Sequence, residues 1–278
     1  MIELKKNSVP YKDLYIYYIQ GKVPHASEKL LKSDNYIGNW IEEDTSFLFF
    51  TQESKRSVHD LLARQPELTL LDSFEMPYDE WCGGQFEVIS ISDLLIAPPW
   101  MPGISAIENN PVWLNPGVVF GAGTHPTTYD CLLAIDKAFS LAPIETMVDI
   151  GTGTGLLSLF AARKGAKKIV AMDLNPLASK TAHENVILNK MADKIVVTQG
   201  DARNLMVNTM DLWVANIHYD ILVSLIQSSE FMNHQMFVLS GLLPSQALKV
   251  QEILDMLAIN VIQTWENAWF TCLGITHK

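Results

Sequence analysis

Three things are scarce in this chain of 278 residues, and each excludes a class of protein. Cysteine occurs three times, at Cys82, Cys131 and Cys272, too far apart for a zinc site and too few for a disulfide framework. Reduced thiols and a cytoplasmic location are the expectation. No apolar run approaches the ~20 residues that span a bilayer, and the opening Met1-Ile2-Glu3-Leu4-Lys5-Lys6 has no long apolar segment with a small-residue cleavage site, so no membrane association is expected. Basic residues are outnumbered, 20 against 31 acids, for a net charge of -11. A nucleic-acid partner, whose phosphates call for basic surfaces, is not expected. A neutral metabolite or a basic protein suits this charge better. Apolar residues reach 48%, so the chain has a large core to bury, and its length suggests two domains.

Against those absences, glycine is concentrated at one place. Asp149-Ile150-Gly151-Thr152-Gly153-Thr154-Gly155 follows the apolar Thr146-Met147-Val148 and leads into a helical run from Leu156. Strand, glycine turn and helix in that order make a nucleotide-type cofactor site, because a ligand can approach where no Cβ stands and the helix offers free N–H groups. The spacing is G-x-G-x-G. A dinucleotide turn reads G-x-G-x-x-G, and Leu156 occupies the place of its third glycine. Lys168 to Met172 reads as the next strand, and Asp173 at its end is placed to accept ribose hydroxyls.

Downstream the alternation continues. Helices are expected over Leu177–Asn189, Tyr219–Glu230 and Ser245–Leu257. Strands are expected over Ile195–Thr198, Leu212–Ile217, Met236–Leu239, Asn260–Thr264 and Trp269–Ile275. This is the pattern of an α/β fold with a mostly parallel sheet covered on both faces. Asp149, Asp173, Asp201 and Asn216 lie at or just after four strand ends, the edge where such sheets bind ligands. The glycine turn admits the ligand, Asp173 suits a ribose, Asp201 suits an adenine amine, and Asn216 offers a donor and an acceptor to an amino-acid moiety or a reacting amine. Together these describe S-adenosylmethionine (SAM).

The first hundred residues carry 9 basic and 16 acidic groups. Strands over Leu14–Ile19, Tyr36–Ile41, Ser46–Phe50 and Leu68–Phe74, with helices over His25–Lys32 and Ser57–Arg64, give the order β-α-β-β-α-β of a ferredoxin-like sandwich. No catalytic cluster stands out there. The expected organisation is a small α+β domain over residues 1–78, a tryptophan- and proline-containing linker over 79–115 that packs on the larger domain, and a SAM-binding domain over 116–278.

The stretch Asn115-Pro116-Gly117-Val118-Val119-Phe120-Gly121-Ala122-Gly123-Thr124-His125-Pro126-Thr127-Thr128 resembles D-P-G-x-A-F-G-T-G-T-H-P-T-T of the ribosomal protein L11 methyltransferases (PrmA type), a family of class I SAM-dependent methyltransferases. Asp149 to Gly155, Val214-Ala215-Asn216-Ile217 and Ser240-Gly241-Leu242-Leu243-Pro244-Ser245-Gln246-Ala247 follow at the family's spacing. The match covers roughly residues 80 to 278. It implies a Rossmann-like seven-stranded, mostly parallel sheet, a ferredoxin-like N-terminal domain that presents the substrate, and methylation of lysine and α-amino groups of a ribosomal protein. It also implies SAM contacts at Thr128, Gly151, Asp173 and Asn216. Phe120 to Thr128 becomes a loop closing over the cofactor, Phe120 included, with the hydroxyls of Thr124, Thr127 and Thr128 near the methionine end. Gly153, Gly155, Asp149 and Asp201 complete the expected cofactor set. The chain departs from the family at Asn115, at Ala122 and at His218-Tyr219-Asp220. The last stretch borders the acceptor pocket, and His218 and Asp220 are the candidates for a base beside Asn216. Two other readings stay open: another protein or a small amine as acceptor, or a SAM-binding protein without turnover.

Overall fold

The computed structural model describes residues 9–31, 33–84, 87–104, 110–204 and 209–276. The small domain contains β1 (Asp13–Gln20), β2 (Tyr36–Glu42), β3 (Thr45–Phe50), α1 (Lys55–Arg64) and β4 (Thr69–Pro77). Its sheet is antiparallel throughout, in the order β2-β3-β1-β4. That is the ferredoxin-like order expected. The first of the two expected helices is not formed: between β1 and β2 stands a single 3-10 turn, Ser27–Leu30. The Pro24 carbonyl accepts from both Ser27 N and Glu28 N, closing one tight turn, and Lys32 lies outside the described residues.

Alternation along β1 divides the sheet's two faces. Tyr17 and Ile19 join Val58 and Leu61 of α1 in one apolar cluster. Leu14 and Ile16 point the other way and share a second cluster with Tyr78, Val118 and Leu177, which belong to the rest of the chain. The small domain therefore has a core of its own and a second apolar face that the larger domain covers.

A short helix α2 (Tyr78–Trp81) and a three-stranded sheet of β5 (Ile89–Ile91), β6 (Leu94–Ala97) and β7 (Val112–Trp113) follow. Ile91, Ile96, Val112 and Leu114 are buried in the same cluster as the large domain's helices.

The large domain runs α3 (Pro126–Leu141), β8 (Thr146–Ile150), α4 (Leu156–Lys164), β9 (Lys168–Asp173), α5 (Pro176–Leu188), β10 (Ile195–Gln199), β11 (Leu212–Asn216), α6 (Tyr219–Ile226), β12 (Met236–Leu242), α7 (Pro244–Met256), β13 (Asn260–Glu266) and β14 (Phe270–Ile275). Its seven strands lie in the order β10-β9-β8-β11-β12-β14-β13, with β14 alone reversed. The chain order turns around between β8 and β11, and that junction is where sheets of this type open to a ligand. β8 and β11 are apolar and buried on both faces, as a strand sandwiched between helices must be. Two details differ from expectation. The helix from Tyr219 ends at Ile226, and the chain then makes a 3-10 turn at Phe231–Asn233. Helix α3 starts within the segment expected to be a loop, with Pro126 at its first position and His125 as its cap.

Candidate active site

The geometry begins at the glycine turn. Gly151 N and Thr152 N both donate to the Met172 carbonyl, at 2.8 and 2.9 Å, so the turn is tied to β9. Gly153 sits at φ +55°, and a Cβ there would lie 2.4 Å from the Phe120 carbonyl oxygen. That contact is the loop itself: Thr154 N donates to Phe120 O at 3.1 Å and Thr154 Oγ1 to Gly121 O at 2.6 Å. The segment from Phe120 thus lies directly over the glycine turn, clamped by Thr154. At Gly151 a Cβ would fall 2.3 Å from Ile217 Cγ2. The turn is closed in from both sides, and only glycine fits between Ile217 and the Phe120 carbonyl. Gly155 caps α4.

Three carboxylates stand at this edge in three states. Asp149 is fully buried, and its Oδ2 accepts from Thr152 Oγ1 and Ser158 Oγ, each at 2.7 Å. Burial pushes its carboxyl up and those two hydroxyls pull it back. Asp173 is half-buried at the end of β9, with Oδ2 accepting from Gly153 N at 3.0 Å and Oδ1 from Asn175 N at 2.9 Å. Burial raises its carboxyl, and these backbone donors hold the ionised form. Asp201 differs: its carboxylate is gripped by its own neighbour Arg203, whose Nε and guanidinium tip reach it at 3.0 and 2.5 Å. The arginine holds Asp201 below the usual carboxylate range. An adenine amine at that place competes with Arg203.

The other end of the edge is built on α3. Thr127 and Thr128 are buried in its first turn. His125 Nδ1 accepts from Thr127 N at 3.3 Å and lies 2.8 Å from Thr127 Oγ1, and burial lowers its imidazole. Asn216, at the end of β11, donates from Nδ2 to Thr127 Oγ1 at 3.2 Å. The His125 ring stands between Phe120 and Trp269, with centroids 5.2 and 5.3 Å away. The structure therefore brings Phe120, Thr127, Thr128, Asp149, Gly151, Gly153, Gly155, Asp173 and Asn216 to one strand edge. Thr124, His218 and Asp220 are exposed. The last two stand at the start of α6.

Three residues outside the expected set hold this edge together. Thr154 clamps the loop. Asn185 of α5 accepts from Asn115 N at 2.9 Å and donates to the carbonyls of Asn115 and Thr154 at 2.8 and 2.9 Å. Trp269 flanks His125. Asn185 carries the one signal a sequence could offer, an amide within the buried stretch of a helix. The substituted Asn115 keeps a turn-forming role, its Oδ1 accepting from Gly117 N at 3.1 Å.

Two buried oxygens at this edge, Thr128 Oγ1 and Asp149 Oδ1, have no hydrogen-bond partner. Orphans of this kind are rare in native proteins. Together with a carboxylate oriented by two backbone N–H groups at the end of β9, they fit a nucleoside that bears an amino-acid arm. Among the described residues, no group of His, Cys, Asp and Glu can hold a metal ion, and no helix is long and apolar enough to cross a membrane.

A family model described as ribosomal protein L11 methyltransferase (PrmA) matches residues 8–278. The ribosomal protein L11 methyltransferase of Anoxybacillus flavithermus is 33% identical over 218 residues, covering 74% of this chain and 69% of that protein. That of Desulfitobacterium hafniense is 30% identical over 253 residues, covering 88% and 80%. A solved structure of ribosomal protein L11 methylase from Lactobacillus delbrueckii subsp. bulgaricus superposes with a TM-score of 0.60 at 27% identity, covering 69% of this chain and 99% of that one.

Proposed function

We propose that this chain, which belongs to the ribosomal protein L11 methyltransferase (PrmA) family, transfers methyl groups from SAM to lysine and α-amino groups of a basic ribosomal protein in the cytoplasm. In this reading the carboxyl edge of β8, β9 and β11 is the donor site. The small domain reads the protein, and nucleic acid is not bound directly. One observation carries the assignment of the site: the Phe120–Thr128 segment is clamped onto the glycine turn by Thr154, while Thr127 is bonded to Asn216. Two strand ends and a loop, far apart in sequence, are thereby assembled at one edge of the sheet.

SAM supplies a methyl group on a positively charged sulfur. The remaining chemistry falls to the chain's own residues. Asp173 takes the ribose hydroxyls, its orientation fixed by Gly153 N and Asn175 N. Gly151, Gly153 and Gly155 leave room for the nucleoside, and Phe120 covers it. Thr124, Thr127, Thr128 and Asp149 serve the amino-acid arm, for which the orphaned Thr128 Oγ1 and Asp149 Oδ1 are the free partners. Asp201 reaches the adenine once Arg203 yields. Asn216 gives one of its two amide hydrogens to Thr127 Oγ1, and its Oδ1 remains to accept an N–H from the incoming amine and aim the nitrogen lone pair. Such alignment of reacting atoms is worth about 7–11 kcal/mol of a barrier.

The amine must arrive neutral. A lysine has an ordinary pKa of about 10.4, and a desolvated place beside a positive charge lowers it. His218 and Asp220, exposed at the mouth of α6, stand where the released proton meets water. A dedicated base is not required.

The test is transfer of label from methyl-labelled SAM in the presence of purified ribosomal proteins. Label on L11 is expected. Label on another protein while L11 stays bare replaces the substrate reading. SAM binding with no transfer to any of them replaces the enzyme by a binding protein.

A further inference from the structure

The small domain and the start of α5 border an open cleft of about 500 Å³. Glu28, Asp34, Tyr36 and Asn39 line one wall; Leu177 and Lys180 of α5 line the other. Two features mark it as a built site. Asn39 is 2% exposed; its Nδ2 donates to the Val23 carbonyl at 3.3 Å, but Oδ1 has no partner. A buried amide oxygen left without a donor costs about 1–3 kcal/mol, a cost relieved by a ligand bearing an N–H. The second feature is Glu28, only 8% exposed. The Tyr36 hydroxyl donates to its Oε2 at 3.0 Å, and His25 Nδ1 lies 3.4 Å from Oε1. Burial keeps the Tyr36 hydroxyl protonated, so it orients the carboxylate without neutralising it.

Acceptors dominate this cleft: a buried carboxylate, an orphaned amide oxygen and the exposed carboxylate of Asp34. Lys180 is the opposing charge, and it leans toward Glu184 at 3.9 Å. A group carrying several N–H donors and a positive charge satisfies this set. We propose that the cleft holds a lysine or arginine side chain of the protein substrate while another amine of the same protein reaches Asn216. The site is joined to the donor edge through one residue. Asn175 caps α5 by accepting from Leu177 N at 2.9 Å, donates its own N–H to Asp173, and reaches the Ile41 carbonyl of β2 through Nδ2 at 3.4 Å. A cation seated in the cleft is thus held at a fixed offset from the reacting amine.

This inference rests on the reading that the acceptor is a protein, and the two are tested apart. Methyl transfer to L11 is measured with the full chain at saturating SAM, with SAM affinity read separately by calorimetry. Glu28→Gln keeps the Tyr36 bond but removes the charge, and it raises KM for L11 about tenfold. Asp34→Lys, at an exposed position, raises it about threefold to fivefold, and Lys180→Glu lowers it about twofold; SAM affinity stays as in the parent. KM unmoved by all three changes, or moved the same way by Asp34→Lys and Lys180→Glu, overturns the cleft assignment. Independently of turnover, a short lysine- and arginine-rich peptide is titrated against the full chain while the Asn39 side-chain amide is followed by NMR. A saturable shift, weakened in Glu28→Gln, is expected. No shift overturns the cleft even where transfer proceeds, and a shift without transfer to any protein leaves the cleft standing while the enzyme reading falls.

Discussion

The donor edge and the small domain are built to different tolerances. At the donor edge the groups that fix the backbone are tied to one another, and the few left without a partner, Thr128 Oγ1 and Asp149 Oδ1, are buried. Asp173 is held by two backbone N–H groups, Asp149 by two hydroxyls, Thr154 by two atoms of the covering loop and Asn216 by Thr127. Backbone meets backbone where a side chain would not fit. The small domain meets its neighbour through side chains instead, as where Gly38 faces Leu177, and its edge strand β4 is exposed along almost its whole length. A preorganised site suits one small molecule whose shape never varies. A domain with an exposed edge strand suits a protein partner that has to dock, present an amine and leave.

That contrast is most easily broken at Gly153. In Gly153→Ala a left-handed backbone costs about 1–2 kcal/mol, and the new methyl group runs into the Phe120 carbonyl, which cannot rotate away. The covering loop must lift, and calorimetry should show SAM affinity reduced about a hundredfold or more. The same substitution at Gly38 is the control. Its Cβ would lie 2.5 Å from Leu177 Cδ1, the end of a flexible side chain, so Gly38→Ala should cost about 1 kcal/mol of stability and leave SAM affinity unchanged. Equal losses of SAM affinity at the two glycines would erase the distinction. A smaller loss is expected at Asp173. Removing its carboxylate in Asp173→Ala takes away charge-assisted bonds worth about 1.5–3 kcal/mol and frees Gly153 N and Asn175 N. SAM affinity should fall about tenfold to a hundredfold, and unchanged binding would remove Asp173 from the cofactor site.

The two regions also differ in how far their residues could be read before the fold was known. The glycine turn, Asp173 and Asn216 were legible because local chemistry fixes them: glycines where the backbone is left-handed, and polar residues at the ends of apolar runs. Helix α3 was not, although His125-Pro126 is a proper helix start. Cys131, Ala134, Ile135 and Ala138, all buried, fall at i, i+3, i+4 and i+7, so the helical period is present, masked by its position directly after a glycine- and threonine-rich stretch that reads as loop. The stretch expected to be a helix over His25–Lys32 is too short to show a period, and it forms only the 3-10 turn Ser27–Leu30. Thr154, Asn185 and Trp269 act across 31 to 144 residues of chain, and contacts of that range leave no mark in spacing. Asp201 stands just past the end of β10 as expected, but its position does not reveal that Arg203, two residues on, occupies the carboxylate.

The smallest effect expected concerns the hinge of the covering loop, and its sign follows from burial. The His125 imidazole is lowered because the folded protein resists charging it, and its Nδ1 must stay unprotonated to accept from Thr127 N and cap α3. Above the ordinary imidazole value near 6.5 the ring is neutral whether the chain is folded or not, and the cap contributes fully. Below it the unfolded chain takes up a proton that the folded one refuses, so stability falls with pH down through the lowered folded value. Asparagine caps helices as well as any residue and does not titrate. His125→Asn should therefore match the parent's melting temperature at neutral pH and lose less of it on acidification. The parent should also show a change in tryptophan fluorescence over the same range, because a charged imidazole then faces Trp269 at 5.3 Å, and the variant should not. Identical acid profiles in the two proteins would mean that the loop is held by Thr154 alone, making the donor edge rigid at its glycine turn but indifferent to the state of its cap.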